Sequence, residues 1–408
     1  MAEARLAIER VGHQGDGVAA LGGEKVYIPN TLPGETILAA LEKHRGVCAK
    51  ILVPSPDRIA PICPYFGVCG GCALQHWKEE SYRAWKRDLV VAALAHEGIE
   101  APVGDLVDAH GKGRRRAVLH ARRTREGVVA GFTARRSHAI VAIDHCPVLE
   151  PALARIFDIG RRLAAEAGAK PLDLQFTATE GGLDVDLRGS GPLGPAAQAA
   201  LARIAAEERL ARLTRHGEII AQLAEPSIDI GRARVVLPPG GFLQATEAGE
   251  NALASIVCAA SEQASKVADL FCGIGTFSLR LAEKARVLAI DDDGTAIHAL
   301  ARAAKAPGLK PIEAAARDLF RRPLTAAELK HFDAVVLDPP RQGAEAQARA
   351  LAQGAVPRII YVSCNPASFA RDARILSDGG YRLASLTPVD QFRYSPHAEL
   401  VGVFDRRG

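Results

Sequence analysis

Long apolar runs are missing from this chain of 408 residues. No stretch reaches the roughly 20 consecutive apolar residues that a membrane-spanning helix needs. The opening MAEARLAIER has no apolar core of signal-peptide length. A soluble cytoplasmic protein is therefore expected. Aromatic residues are scarce, at 5%, so extended stacking on nucleic-acid bases is not forecast. Low-complexity tracts and internal repeats are also lacking. Neither sign of charge dominates, with 51 Lys and Arg against 47 Asp and Glu and a net charge of +4. The sum says little about a polyanionic partner, and the distribution must carry that argument.

What is present is a globular composition, 48% hydrophobic and 24% charged. At this length two or three domains are expected. Residues 1–54 read as a small β domain. RLAIERVG, GVAAL, KVYIP, ETILAAL and a last strand at Lys50 to Val53 make five short strands between Gly- and Pro-bearing turns. This pattern suits a small OB-like barrel. Residues 55–234 form a second region. A Cys-rich loop fills 57–79, and 80–97 has helical periodicity closed by Gly98, in a place where it could pack on the catalytic domain. Residues 105–190 read mostly as strands and turns, and 195–213 as an Ala-rich amphipathic helix. Residues 235–408 alternate strands with helices, the mark of a doubly wound, Rossmann-like parallel sheet. The expected class is thus multidomain α/β.

Chemistry concentrates at the strand ends of that last region. Val267 to Phe271 is an apolar strand running into Cys-Gly273-Ile-Gly275-Thr276. The two glycines let a backbone approach a ligand closely. A second strand, Arg286 to Asp291, ends in an acid that can accept hydrogen bonds from ribose hydroxyls. The plainer reading of Asp291 is a helix cap. Two further strands end in Asp338-Pro-Pro-Arg341 and Ser-Cys364-Asn-Pro366. An open α/β sheet keeps its site at such ends. Most lone cysteines are buried and structural. One held beside a nucleoside-binding sheet is a candidate nucleophile.

The other cysteines have a pattern of their own. A reducing cytoplasm makes disulfides an unlikely use for the eight thiols. Cys63, Cys69 and Cys72 have C-x5-C-x2-C spacing, and Cys146 lies far along the chain. Four thiolates hold either zinc or a [4Fe–4S] cluster. Zinc ribbons usually use two CxxC pairs, whereas three ligands on one Gly-bearing loop with a remote fourth are closer to an iron–sulfur loop. Cys272 lies in the Gly-rich turn, and Cys48 and Cys258 look structural.

DLFCGIGTF, LDPPRQG, YVSCNPASFARD and the terminal SPHAELV together resemble the RNA uracil-5-methyltransferase family over nearly the whole chain. The resemblance implies S-adenosylmethionine as methyl donor and Cys364 as covalent nucleophile. It implies Glu399, in His397-Ala-Glu399, as the proton acceptor. It implies cofactor contacts at Gln244 (in Phe242-Leu-Gln244), Phe271, Thr276, Asp291, Asp318 and Asp338. Asp291 stands where many members have Glu, and Ser368 replaces a common Thr. In larger members the same four cysteines hold [4Fe–4S]. Gly15-Asp-Gly17 and Leu32-Pro-Gly-Glu35 look like a TRAM domain, an OB-like RNA-binding module. Members with both features point to 23S ribosomal RNA, since transfer-RNA members lack both.

Residues 105–140 hold nine basic residues, at 112, 114, 115, 116, 122, 123, 125, 135 and 136, against three acids. Such a run is a solvated surface or a phosphate-binding face, and its nearness to Cys146 favours RNA. The target uridine must leave any stack to reach Cys364, so a loop or flipped-out base is expected. Competing readings are cytosine-C5 methylation, radical chemistry at the cluster, and a non-catalytic RNA-binding assembly factor. Pro340 stands where a cytosine enzyme would place a second cysteine. A fourth thiol at Cys146 would close the open iron that radical chemistry needs.

Overall fold

A computed structural model describes residues 2–168 and 170–407. The N-terminal segment forms a six-stranded sheet rather than five strands. The expected first strand is broken into Ala2–Ala7 and Arg10–Val11, and the last runs from Arg45 to Val53. Ala2–Ala7 pairs with Thr36–Glu42, while Arg10–Val11 pairs with Gly17–Leu21. Between them the Glu9 N–H donates to the Val18 carbonyl at 2.9 Å. Residues 2–11 therefore touch both ends of the sheet and curl it shut around Leu6, Ile8, Val26, Ile28 and Ile37.

The middle of the chain builds a seven-stranded sheet. It carries the helices Ile156–Glu166 and Pro195–Glu207. The first was not expected from the sequence, yet Ile156, Phe157, Ile159, Leu163 and Ala164 all bury one face of it. The second stops short of the expected 213. Arg209 takes a left-handed φ of 52°, and Arg212–Arg215 leaves as a strand. Arg135 and Arg136 both reach Asp16, at 2.9 and 2.6 Å, and tie this sheet to the N-terminal one.

An eight-stranded sheet holds the C-terminal half. Its order is Ile312–Ala316, Arg286–Asp291, Lys266–Leu270, Ala334–Leu337, Arg358–Ser363, Glu399–Arg406, Tyr381–Asp390 and Val107–Asp108. The first five are mutually parallel, and Glu399–Arg406 is antiparallel to its neighbours. The order reverses between Lys266–Leu270 and Ala334–Leu337, which opens a crevice at their carboxyl ends. Two pieces from the N-terminal half join this layer. Val107–Asp108 extends the sheet edge. The helix Glu79–His96 packs on the helix Pro366–Asp378 and puts Val90 and Leu94 into the core under the sheet. Among the described residues no helix is long and apolar enough to cross a membrane.

Candidate active site

Strand register assembles the site. Leu270 pairs with Leu337, so Phe271 and Asp338 leave neighbouring strand ends together. Ser363 pairs with Leu400, so the next residues outward on those two strands are Cys364 and Glu399. All four line one cavity of about 600 Å³, together with Gln244, Gly273, Thr276 and Asp291. That volume is within the range of small-molecule sites. The sequence-predicted residues Gly275 and Asp318 lie outside the lining. Gly275 acts in packing: at φ 94° an added Cβ would meet Leu300 at 2.4 Å. The Asp318 carboxylate accepts from the Phe320 and Arg321 N–H groups, both at 3.0 Å, and so shapes a turn. That turn delivers Phe320, which sequence reasoning missed, to the cavity wall 5.3 Å from the Phe271 ring.

Local chemistry fixes each strand-end turn. Phe271 adopts φ 62°, a strained value for a side-chain-bearing residue. Gly273 follows with its Cα face open and its N–H donating to Asp291 at 2.8 Å. Asp291 also accepts from the Asp293 N–H at 2.9 Å. The helix cap is Asp293, not Asp291, since the Asp293 carboxylate accepts from Thr295 and Ala296. Asn365 caps the helix Pro366–Asp378. Its amide and the Ser368 hydroxyl both donate to the Arg341 carbonyl, at 2.9 and 3.0 Å. The two motif turns, DPPR and SCNP, are thereby stapled together.

Similarity to known proteins is extensive. Residues 238–407 match the family described as tRNA (Uracil-5-)-methyltransferase. An uncharacterized RNA methyltransferase of Caulobacter vibrioides is 47% identical, over 98% of this chain and 99% of that one. A 23S rRNA (uracil(1939)-C(5))-methyltransferase of Chromohalobacter salexigens is 34% identical, over 97% of this chain and 87% of its own length. The chain belongs to this family. It is an S-adenosylmethionine-dependent RNA uracil-5-methyltransferase, and cytosine methylation, radical chemistry and a non-catalytic role fall away. The crystal structure of a Pyrococcus abyssi tRNA (uracil-54, C5)-methyltransferase with S-adenosyl-L-homocysteine shares the fold, at TM-score 0.74 and 23% identity over 98% and 100% of the two chains.

The methyltransferase cavity is rich in carboxyl groups whose burial disfavours their charged forms. Burial, then the neighbouring Glu399, Asp269 and Asp291, raises Asp338 well above the ordinary carboxylate range. Burial likewise raises Asp291, and lifts Asp269, behind the wall, to about 7. Glu399 is pushed up to about 7 by burial, against the pull of the Gln391 amide, Lys86 and Arg341. Burial, then the Glu399 and Asp338 charges, pushes the Cys364 thiol up to about 11, while Arg341 pulls it down. A cation bound there would lower these carboxyl groups and the thiol alike. His397 is held down to about 4 by burial and by Arg341, whose guanidinium lies 2.8 Å from its Nδ1. At the rim Phe242 is 64% exposed, with the Arg116 guanidinium 5.0 Å from its ring centre.

Cys63, Cys69, Cys72 and Cys146 border a second cavity, of about 330 Å³, with Arg114, Arg116 and His145. Among the described residues, no group of three or more His, Cys, Asp or Glu is arranged around a single metal ion. All four thiols line this one cavity. The Gly71 N–H already points at the Cys69 sulfur, at 3.5 Å.

The basic run divides by burial. Arg115 is 6% exposed, pairs with Glu250 and donates to the Gln244 carbonyl at 3.1 Å, so it supports the active site from behind. Arg122, Arg123 and Arg125 are exposed near the tip of a hairpin.

Proposed function

We propose that this enzyme methylates C5 of a flipped-out uridine in 23S ribosomal RNA through a covalent adduct on Cys364. The observation that carries the reading is the pairing of Cys364 and Glu399 at adjacent strand ends in one cavity. S-adenosylmethionine supplies an electrophilic methyl group on a cationic sulfonium. The Cys364 thiolate adds to uracil C6, and the electron pair of the C5–C6 bond moves into an enolate. C5 of the enolate takes the methyl group. Glu399, as carboxylate, removes the C5 proton, and the electrons left behind re-form the C5–C6 double bond as the C6–S bond breaks. Gln244, Phe271, Gly273, Thr276, Asp291 and Asp338 line the space for the methyl donor and the base. Asp338 can hydrogen-bond either one.

The ribosomal target rests on the name of the Chromohalobacter relative. A transfer-RNA target is the second reading, favoured by the archaeal tRNA enzyme that shares this architecture along its whole length. We assign the closed N-terminal sheet as a TRAM domain over 1–54, a central domain over 55–234 and the catalytic domain over 235–408. Cys63, Cys69, Cys72 and Cys146 would hold a [4Fe–4S] cluster. The enzyme would act in the cytoplasm.

The test uses S-adenosylmethionine with a radiolabelled methyl group. Cys364→Ala should give no methylation and no adduct. Glu399→Gln should accumulate a methyl-bearing protein–RNA adduct that survives denaturing electrophoresis. Full activity in Cys364→Ala would refute the nucleophile. Mapping 5-methyluridine in 23S and transfer RNA from cells with and without the gene separates the two targets.

A further inference from the structure

Behind the cavity wall lies a buried side-chain amide that the reaction scheme does not use. Gln391 is 1% exposed and follows the strand Tyr381–Asp390. Its Nε2 is 3.1 Å from Glu399 Oε1 and 2.7 Å from Gln244 Oε1. Its Oε1 accepts from the Thr246 N–H at 3.4 Å. Gln244 Nε2 in turn donates to Asp338 Oδ2 at 3.3 Å. We propose that Gln391 is a positioning residue, which orients Glu399 for proton abstraction and forces Gln244 to present its NH2 group to the cavity. The proposal rests on Glu399 being the proton acceptor.

The order of donors and acceptors follows from the carboxylate. An ionised Glu399 only accepts, so the Gln391 atom facing it must be nitrogen. The second hydrogen of that nitrogen goes to Gln244, whose facing atom must then be oxygen. Gln244 is left with its NH2 toward Asp338 and the cavity. A ligand atom meeting Gln244 there must be an acceptor, such as a carbonyl or carboxylate oxygen. Flipping Gln391 would set oxygen against oxygen twice and NH2 against the Thr246 N–H. With water excluded, each broken bond would go unreplaced.

Packing holds the amide in place. A Cβ on Gly249 would lie 2.6 Å from Gln391 Oε1 and 2.7 Å from its Cβ. Thr246 itself is fixed, since its hydroxyl accepts from the Gly249 N–H at 2.8 Å and donates to the Ala109 carbonyl at 2.6 Å. Gln391 is not a lining residue of the reaction cavity. It therefore acts through Glu399 and Gln244 rather than on substrate.

The hydrogen bond from Gln391 favours the Glu399 carboxylate against burial. The other groups facing Glu399 are Cys364 and Asp338 from the neighbouring strand ends, Arg341 from the DPPR turn, Lys86 from the helix Glu79–His96, and His397 two residues before it. Lys86 is already bound to Asp390 and the Phe392 carbonyl, and Arg341 to His397, so neither can take over the position of Gln391.

The experiment compares wild type, Q391M and E399Q by the pH dependence of single-turnover release of free methylated RNA, which reports the proton-abstraction step, and by adduct accumulation. Q391M keeps the length of the side chain and removes its polar atoms. Its acid limb should move up by about one pH unit, a tenfold loss on the acid side. Methyl-bearing adduct should accumulate, as in E399Q. Q391E, equal in shape, is the second arm should Q391M not fold, and its limb should move up further because a second carboxylate adds repulsion. A folded Q391M or Q391E with the wild-type limb and no adduct, beside an E399Q that does accumulate adduct, overturns the proposal alone. An E399Q enzyme that turns over normally removes the base, and the proposal with it.

Discussion

Lys86 and Asp390 form an ion pair with side chains 0% and 1% exposed, far from each other in sequence. The Lys86 ammonium also contacts the Tyr82 hydroxyl at 2.9 Å and the Phe392 carbonyl at 3.0 Å. The Asp390 carboxylate also accepts from Tyr82 at 2.6 Å and from the Phe392 N–H at 3.0 Å. Lys86→Met leaves that carboxylate buried without its cation, a change that typically costs about 3–5 kcal/mol. Lys86→Met with Asp390→Leu removes both charges, and an apolar pair of similar volume is often neutral. The double variant should therefore recover most of the loss. The acid side gives an independent reading. Burial alone would raise Asp390, but hydrogen bonding from His110 and the Lys86 charge outweigh it and hold it at about 2, against an ordinary 3.8. Lys86 gives the opposite account of the same pair, since burial pulls it down to about 8 despite Asp390. Asp390 governs at acid pH, because Lys86 is protonated there whether folded or unfolded. A depressed carboxyl gives stability that is present above its unfolded value and lost as pH falls from about 4 toward 2. The gap is worth on the order of 2 kcal/mol. Urea unfolding of the three proteins between pH 2 and 7 measures both quantities. A Lys86→Met variant within about 1 kcal/mol of wild type, or a double variant worse than the single, would refute the reasoning.

Three further outcomes are expected. Replacing Arg122, Arg123 and Arg125 with Ala should weaken RNA binding and flatten its salt slope by about 2; an unchanged slope would leave these as solvated charges, and Arg115 must be spared because it braces Gln244. Anaerobically purified protein should be brown and contain iron, with Cys146→Ser losing both; colourless protein with one tight zinc would refute the cluster. Gly275→Ala should weaken S-adenosyl-L-homocysteine binding at least tenfold by calorimetry, because φ 94° and the Leu300 contact both oppose a Cβ; wild-type affinity would show that the turn relaxes freely.

The site was legible where chemistry coincides with a strand end. Asp338 and Cys364 end apolar runs and Glu399 begins one, so alternation alone sets them at the edge of the sheet. Asp318 is less legible, because a carboxylate after a strand serves a turn as readily as a ligand, and here it accepts from the Phe320 and Arg321 N–H groups. The Arg115 role was hidden for a related reason. In a basic run every arginine looks solvated until its partner, Glu250, arrives from 135 residues away. The helix Ile156–Glu166 was missed because it sits between strands, although its buried face has helical spacing.

Long-range pairing also explains why the N-terminal half cannot be treated as an appendage. The Ala73 and Leu74 N–H groups, immediately after Cys72, both donate to the Tyr394 carbonyl, at 2.8 and 3.1 Å. The Tyr394 N–H is itself bound to the Tyr82 hydroxyl at 3.1 Å. Tyr394 lies in the segment that carries Gln391, His397 and Glu399. The Cys-rich loop, the helix after it and the segment leading to Glu399 thus share one set of buried hydrogen bonds. The sequence puts more than 300 residues between Tyr82 and Asp390, whose side chains touch. Nothing in either local pattern announces the partner. A buried tyrosine and a buried lysine four residues apart on one helix face are the only hint, since a buried lysine requires an acid from somewhere.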